Sequence, residues 1–205
     1  MPQGPSSRSY RLALSLAMVL GFQVALVAAV DVQAALDYDQ PATLTNEIAV
    51  PEIKLTPLGH RQLQLAIASG QRSGLEAMLP WRTASSLLLA IASGFVLVLG
   101  VRLWLSEESR PVAAQQLGTA ALVASLLRAI DGGQNLVIMR STVAEFGKAL
   151  IHEGVTHATE LADFTTFFVC ALSIAWSVLI LAGFVWIGNY FRSDDLRTAL
   201  ARAEP

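Results

Sequence analysis

PVAAQQLGTAALVASLLRAIDGGQN, residues 111–135, decides how this chain is read. Its first 17 residues carry no charge between Arg110 and Arg128, so they could form one apolar helix. Gln115 and Gln116 dilute that character, and Gly132-Gly133 is a pair that breaks helices. Read as a membrane crossing that ends at the two glycines, the stretch gives the chain four spans. Arg128 and Asp131 stand three apart, a spacing that pairs opposite charges across one helical turn.

Three other apolar runs are plainer. A spanning helix needs about 20 apolar residues to cross roughly 30 Å of hydrocarbon. Residues 12–30 are uncharged between Arg11 and Asp31, and residues 83–101 between Arg82 and Arg102. Residues 164–191 are uncharged between Asp163 and Arg192, a helix of about 42 Å that must tilt or protrude. Trp81, Trp104, Trp186 and Tyr190 stand near the ends of these runs, as interfacial aromatics do. Composition agrees: of 205 residues 54% are hydrophobic and 15% charged, against about 25% charged in soluble domains.

The expected fold is an all-α integral membrane protein: a four-helix transmembrane bundle with a small extracytoplasmic cap made by two outer loops. The segments are a cytoplasmic tail (1–11), a first span (12–32), outer loop 1 (33–82), a second span (83–103), a cytoplasmic loop (104–110), a third span (111–130), outer loop 2 (131–163), a fourth span (164–191) and a cytoplasmic tail (192–205). Seven Lys and Arg residues fall on each side, but the inner seven occupy about a third as much chain. That asymmetry places both termini in the cytoplasm of a bacterial inner membrane. Val32-Gln33-Ala34 resembles a signal-peptidase site, yet the apolar run exceeds the roughly 7 to 15 residues of a signal peptide. Retention as an uncleaved anchor is expected.

Small residues recur at every fourth position of the first span, at Ala13, Ala17, Gly21, Ala25 and Ala29. Ser86, Ala90 and Gly94 repeat the pattern in the second span. Such rows let helices approach closely, which points to a packed bundle.

Outside the spans, NEIAVPEIKLTPLG (46–59) alternates polar and apolar residues around Pro51, as an edge strand or hairpin arm does. Residues 58–79 read as a surface helix weakened by Gly59, Gly70 and Gly74. Leu136, Met139, Val143, Phe146 and Leu150 step by three and four, the pattern of an amphipathic helix.

HEGVTHATE (152–160) nearly spells a zinc-protease helix, but its histidines are five apart. At 3.6 residues per turn that separates them by about 140°, too far for one metal ion. Glu153, His157 and Glu160 share a face if the stretch is helical, and could hold a divalent cation with His60; otherwise they are a solvated surface. Cys170 is the single cysteine, so an intrachain disulfide is impossible. No G-x-S-x-G, P-loop or cysteine pair is present, and the four span interiors hold no charge. No enzyme, cofactor or nucleic-acid partner is expected, with a net charge of -2. The partners expected are the lipid bilayer and a membrane protein or further copies of the chain, in an accessory, regulatory or assembly role. A small oligomeric channel or carrier using Gln115 or Gln116, and a metal-binding protein, are the alternatives.

Overall fold

A computed structural model of the chain describes residues 7–36, 57–105 and 110–203. Every element among them is a helix: α1 Ser7–Leu36, α2 Pro57–Glu76, α3 Leu79–Leu105, α4 Arg110–His152, α5 Ala158–Arg192 and α6 Asp194–Ala203. The strand expected within residues 46–59 lies outside the described residues, except for Pro57, Leu58 and Gly59, which open α2. Proline suits a first helical position because its missing N–H has no partner there anyway.

Among the described residues three helices are long and apolar enough to cross a membrane: α1 from Arg8, α3 and α5. They contain the first, second and last apolar runs. α4 does not join them, because Gln115, Gln116, Thr119 and Arg128 lower its apolar content. It also corrects the expectation of a span that ends at Gly132-Gly133. α4 runs unbroken for 43 residues, about 65 Å along its axis. Neither glycine adopts a positive φ. Two glycines cost a helix roughly 2 kcal/mol relative to alanine. Orphaning buried backbone amides costs several kcal/mol each, and Asp131 and Gly132 are both buried. The helix therefore continues, and the amphipathic segment from Leu136 to Leu150 is its second half.

The chain divides into two compact units. One draws on α1, α3, α4 as far as Asp131, α5 from Ser177, and α6. Its core combines small residues, including Ala13 and Ala17 from α1 and Ala121 and Ala124 from α4, with Phe184, Ile187 and Phe191 of α5. The small residues allow close approach. A Cβ placed on Gly118 of α4 would lie 2.9 Å from the Gly188 carbonyl oxygen of α5. The reverse distance, from a Cβ on Gly188 to the Gly118 carbonyl oxygen, is 3.1 Å. These two backbones touch where neither residue has a side chain.

The other unit contains α2, α4 from Gly132, and α5 as far as Trp176. Leu63, Ile67, Gly70 and Gly74 step along α2 by four, three and four, which places them on one face. Leu63 packs with Phe146 and Leu150 of α4 and Ala158 of α5. A Cβ on Gly70 would stand 2.7 Å from the Thr142 Cα, and one on Gly74 would stand 3.0 Å from the Ile138 Cα. Between these contacts the Ser73 and Ser141 hydroxyls are 2.9 Å apart. The glycines that weaken α2 as an isolated helix are thus what seats it on α4.

Gly70→Leu is expected to lower the thermal stability of the detergent-solubilised protein, because overpacking against backbone costs about 1 to 3 kcal/mol. Gly133 has nothing within 4 Å of a Cβ position, so Gly133→Ala is expected to stabilise by up to about 1 kcal/mol. Destabilisation by Gly133→Ala would show that this position is not helical.

Candidate functional site

Among the places where chemistry could concentrate are the small-residue rows, an ion pair in α4, a groove between α3 and α4, and the turn between α4 and α5.

Ala13, Ala17 and Gly21 are buried, Ala25 is half-buried and Ala29 is exposed. The buried line continues instead through Val24 and Ala28. A four-residue step overshoots one turn by about 40°, so four such steps carry the row about 160° around the helix. In α3, Ser86 is buried while Ala90 and Gly94 are half-buried, and nothing lies within 4 Å of a Cβ on Gly94. The contact to α1 is made one residue earlier. A Cβ on Gly21 would lie 2.9 Å from both the Ser93 carbonyl oxygen and the Leu97 nitrogen. Ser93 is fully buried. Its spacing of seven from Ser86, two turns along one face, is the sequence feature that marks it.

Arg128 donates through Nη1 to the Asp131 carboxylate. The spacing anticipated this pair; the burial was not anticipated. Their side chains are 9% and 2% exposed. Buried charges are stable only when compensated, and here the compensating group comes from the same turn of α4. Arg128 Nε is buried and has no hydrogen-bond partner among the described residues.

Leu88, Ile91 and Phe95 of α3 form one wall of an open groove of about 840 Å³, and Gln115, Gln116, Thr119 and Val123 of α4 form the other. Thr119 donates its hydroxyl to the Gln115 carbonyl at 3.0 Å. Both glutamines are exposed. They therefore face the outside of their unit along this open groove.

The histidine stretch is a turn, which corrects the expectation that Glu153, His157 and Glu160 share one helical face. α4 ends at His152 and α5 begins at Ala158. Gly154 has a φ of 66°. Its N–H donates to the Ile151 carbonyl at 3.1 Å, and the Val155 N–H donates to the Leu150 carbonyl at 3.2 Å. This is the paired cap with which helices end on a left-handed glycine, and Val155 packs back onto the cluster that holds Leu150. A glycine followed by an apolar residue, just past an amphipathic run, was the legible sign of it. His157 also adopts a positive φ, 61°. Its carbonyl accepts from the Leu161 N–H at 3.0 Å, and its Nδ1 lies 3.1 Å from Glu160 Oε2. Both side chains are more than two-thirds exposed, and such a pair contributes about 1 kcal/mol or less. Among the described residues no three His, Cys, Asp or Glu side chains converge on a position that could hold a metal ion. His60 lies in α2.

Arg128→Met is expected to lower thermal stability, because it removes the guanidinium bonded to the buried Asp131 carboxylate. Adding Asp131→Leu is expected to recover part of that loss, as read from thermal unfolding. A double variant no more stable than the single one would contradict this view of the pair.

No family model, curated protein or solved structure matches the chain.

Proposed function

We propose that this chain is a multi-pass protein of the bacterial inner membrane, with both termini cytoplasmic, that acts by contact as an accessory, regulatory or assembly component. In this reading the first half of α4 is the fourth crossing, and α2 with the second half of α4 forms an extracytoplasmic cap.

The observation that carries the proposal is the exposure of α5. In α1 and α3, 33% of the most apolar window is buried by the rest of the chain; in α5 the share is 11%. Phe164, Phe167, Phe168, Leu172 and Trp176 are all exposed. They belong to the same unit as Arg61, Arg72, Arg140 and Lys148, which are exposed charges. An apolar surface of this size beside charged faces is the mark of a surface that something else covers. A membrane-protein partner covering this length of α5 satisfies it. Trp81 and Trp104, both exposed, lie about 35 Å apart along α3, which suits two interfacial belts around a hydrocarbon core of about 30 Å.

A photo-crosslinking residue in place of Phe167, activated in native membranes, is expected to join the chain to another polypeptide. Adducts to lipid alone would contradict the proposal. In a Cys170→Ala background, Lys148→Cys and Thr198→Cys are expected to react with impermeant reagents from opposite sides of the membrane. Labelling from the same side would overturn the topology.

A further inference from the structure

At one end of the first unit, Pro111 and Gln115 of α4 meet Arg192 of α5 and Asp194 and Arg197 of α6 around a polar pocket of about 200 Å³. Gln115 also lines the apolar groove between α3 and α4. Pocket and groove therefore adjoin at one side chain. From Val112 to Leu127 the groove follows α4 for about 22 Å.

The pocket is built by the fold. A Cβ on Gly118 would stand 2.7 Å from the Arg192 Cγ, so the aliphatic stem of Arg192 lies flat across α4 where α4 has no side chain. Ser193 then turns the chain: its hydroxyl donates to the Tyr190 carbonyl at 2.8 Å and accepts from the Leu196 N–H at 3.4 Å. That turn starts α6 and brings Arg197 to the same pocket as Arg192. The lining holds two arginines and one acid, Asp194, and neither arginine forms an ion pair among the described residues.

We infer that pocket and groove together bind one anionic phospholipid. Arg192 and Arg197 hold the phosphate, and one acyl chain lies along the groove. A guanidinium presents paired donors that match phosphate oxygens, and basic pockets at the cytoplasmic ends of transmembrane helices take anionic head groups. A soluble phosphate satisfies the pocket but leaves the groove empty. A zwitterionic lipid fills the groove but brings its own cation to the arginines. An anionic lipid satisfies both.

The inference rests on the first unit lying in the bilayer, as proposed above, and the test separates the two. The full chain, purified in a neutral detergent, is titrated with phosphatidylglycerol or phosphatidylcholine and bound lipid is counted by native mass spectrometry. Phosphatidylglycerol is expected to bind more tightly, and Arg197→Gln alone to weaken it by about fivefold. Arg192→Gln added to it weakens binding by about fivefold again. Phosphatidylcholine binding stays unchanged in both. Val123→Trp, which fills the groove, weakens both lipids, and millimolar glycerol phosphate displaces neither. Equal binding of the two lipids, a preference that survives the double substitution, insensitivity to Val123→Trp, or displacement by glycerol phosphate would each overturn the lipid site. Alkaline extraction of native membranes reports the membrane reading separately. A chain released by carbonate fails that reading, whereas a chain that stays embedded without lipid preference fails the lipid site alone.

Discussion

A backbone amide in apolar surroundings has one dependable partner, the carbonyl four residues back along its own helix. The architecture follows from that constraint. It explains why all six described elements are helices, and why α4 passes through Gly132-Gly133 without a break. The local preference of two glycines is worth about 2 kcal/mol, which is less than the cost of orphaning the buried amides of one turn. Ending α4 at the glycines would separate the turn holding Arg128 and Asp131 from the segment on which α2 docks.

Within a bilayer, helix association has to come from close packing, because an apolar face gains little by leaving lipid for another apolar face. Close approaches at glycine occur in both units. In the first, Gly118 and Gly188 let α4 and α5 meet backbone to backbone, and Gly21 does the same between α1 and the Ser93 turn of α3. In the second, Gly70 and Gly74 seat α2 on α4. The Arg128–Asp131 pair is buried and is closed within one turn of α4.

Much of this was legible in the sequence, for reasons that differ by element. The runs that became α1, α3 and α5 were plain because membrane transfer depends on composition over about 20 residues and little on context. The pairing of Arg128 with Asp131 followed from spacing, but its burial depended on tertiary packing. Gly70 and Gly74 show where local rules mislead: read alone they weaken a helix, whereas opposite Thr142 and Ile138 they are the condition for contact. The histidine stretch was half legible. Its five-residue spacing excluded the protease geometry, yet a shared face for Glu153, His157 and Glu160 assumed a helix that Gly154 ends. The row from Ala13 to Ala29 is buried only as far as Gly21 within this chain, because a strict four-residue repeat winds away from any one neighbour.

Both units draw on α4, the first as far as Asp131 and the second from Gly132, and both therefore stand on α4 being one helix. Hydrogen–deuterium exchange of the backbone amides from Ile130 to Leu136, followed in detergent micelles, tests it most directly. An unbroken helix requires protection comparable to that of residues 122–126 in the same helix. Exchange as fast as in the turn at residues 153–157 would contradict it.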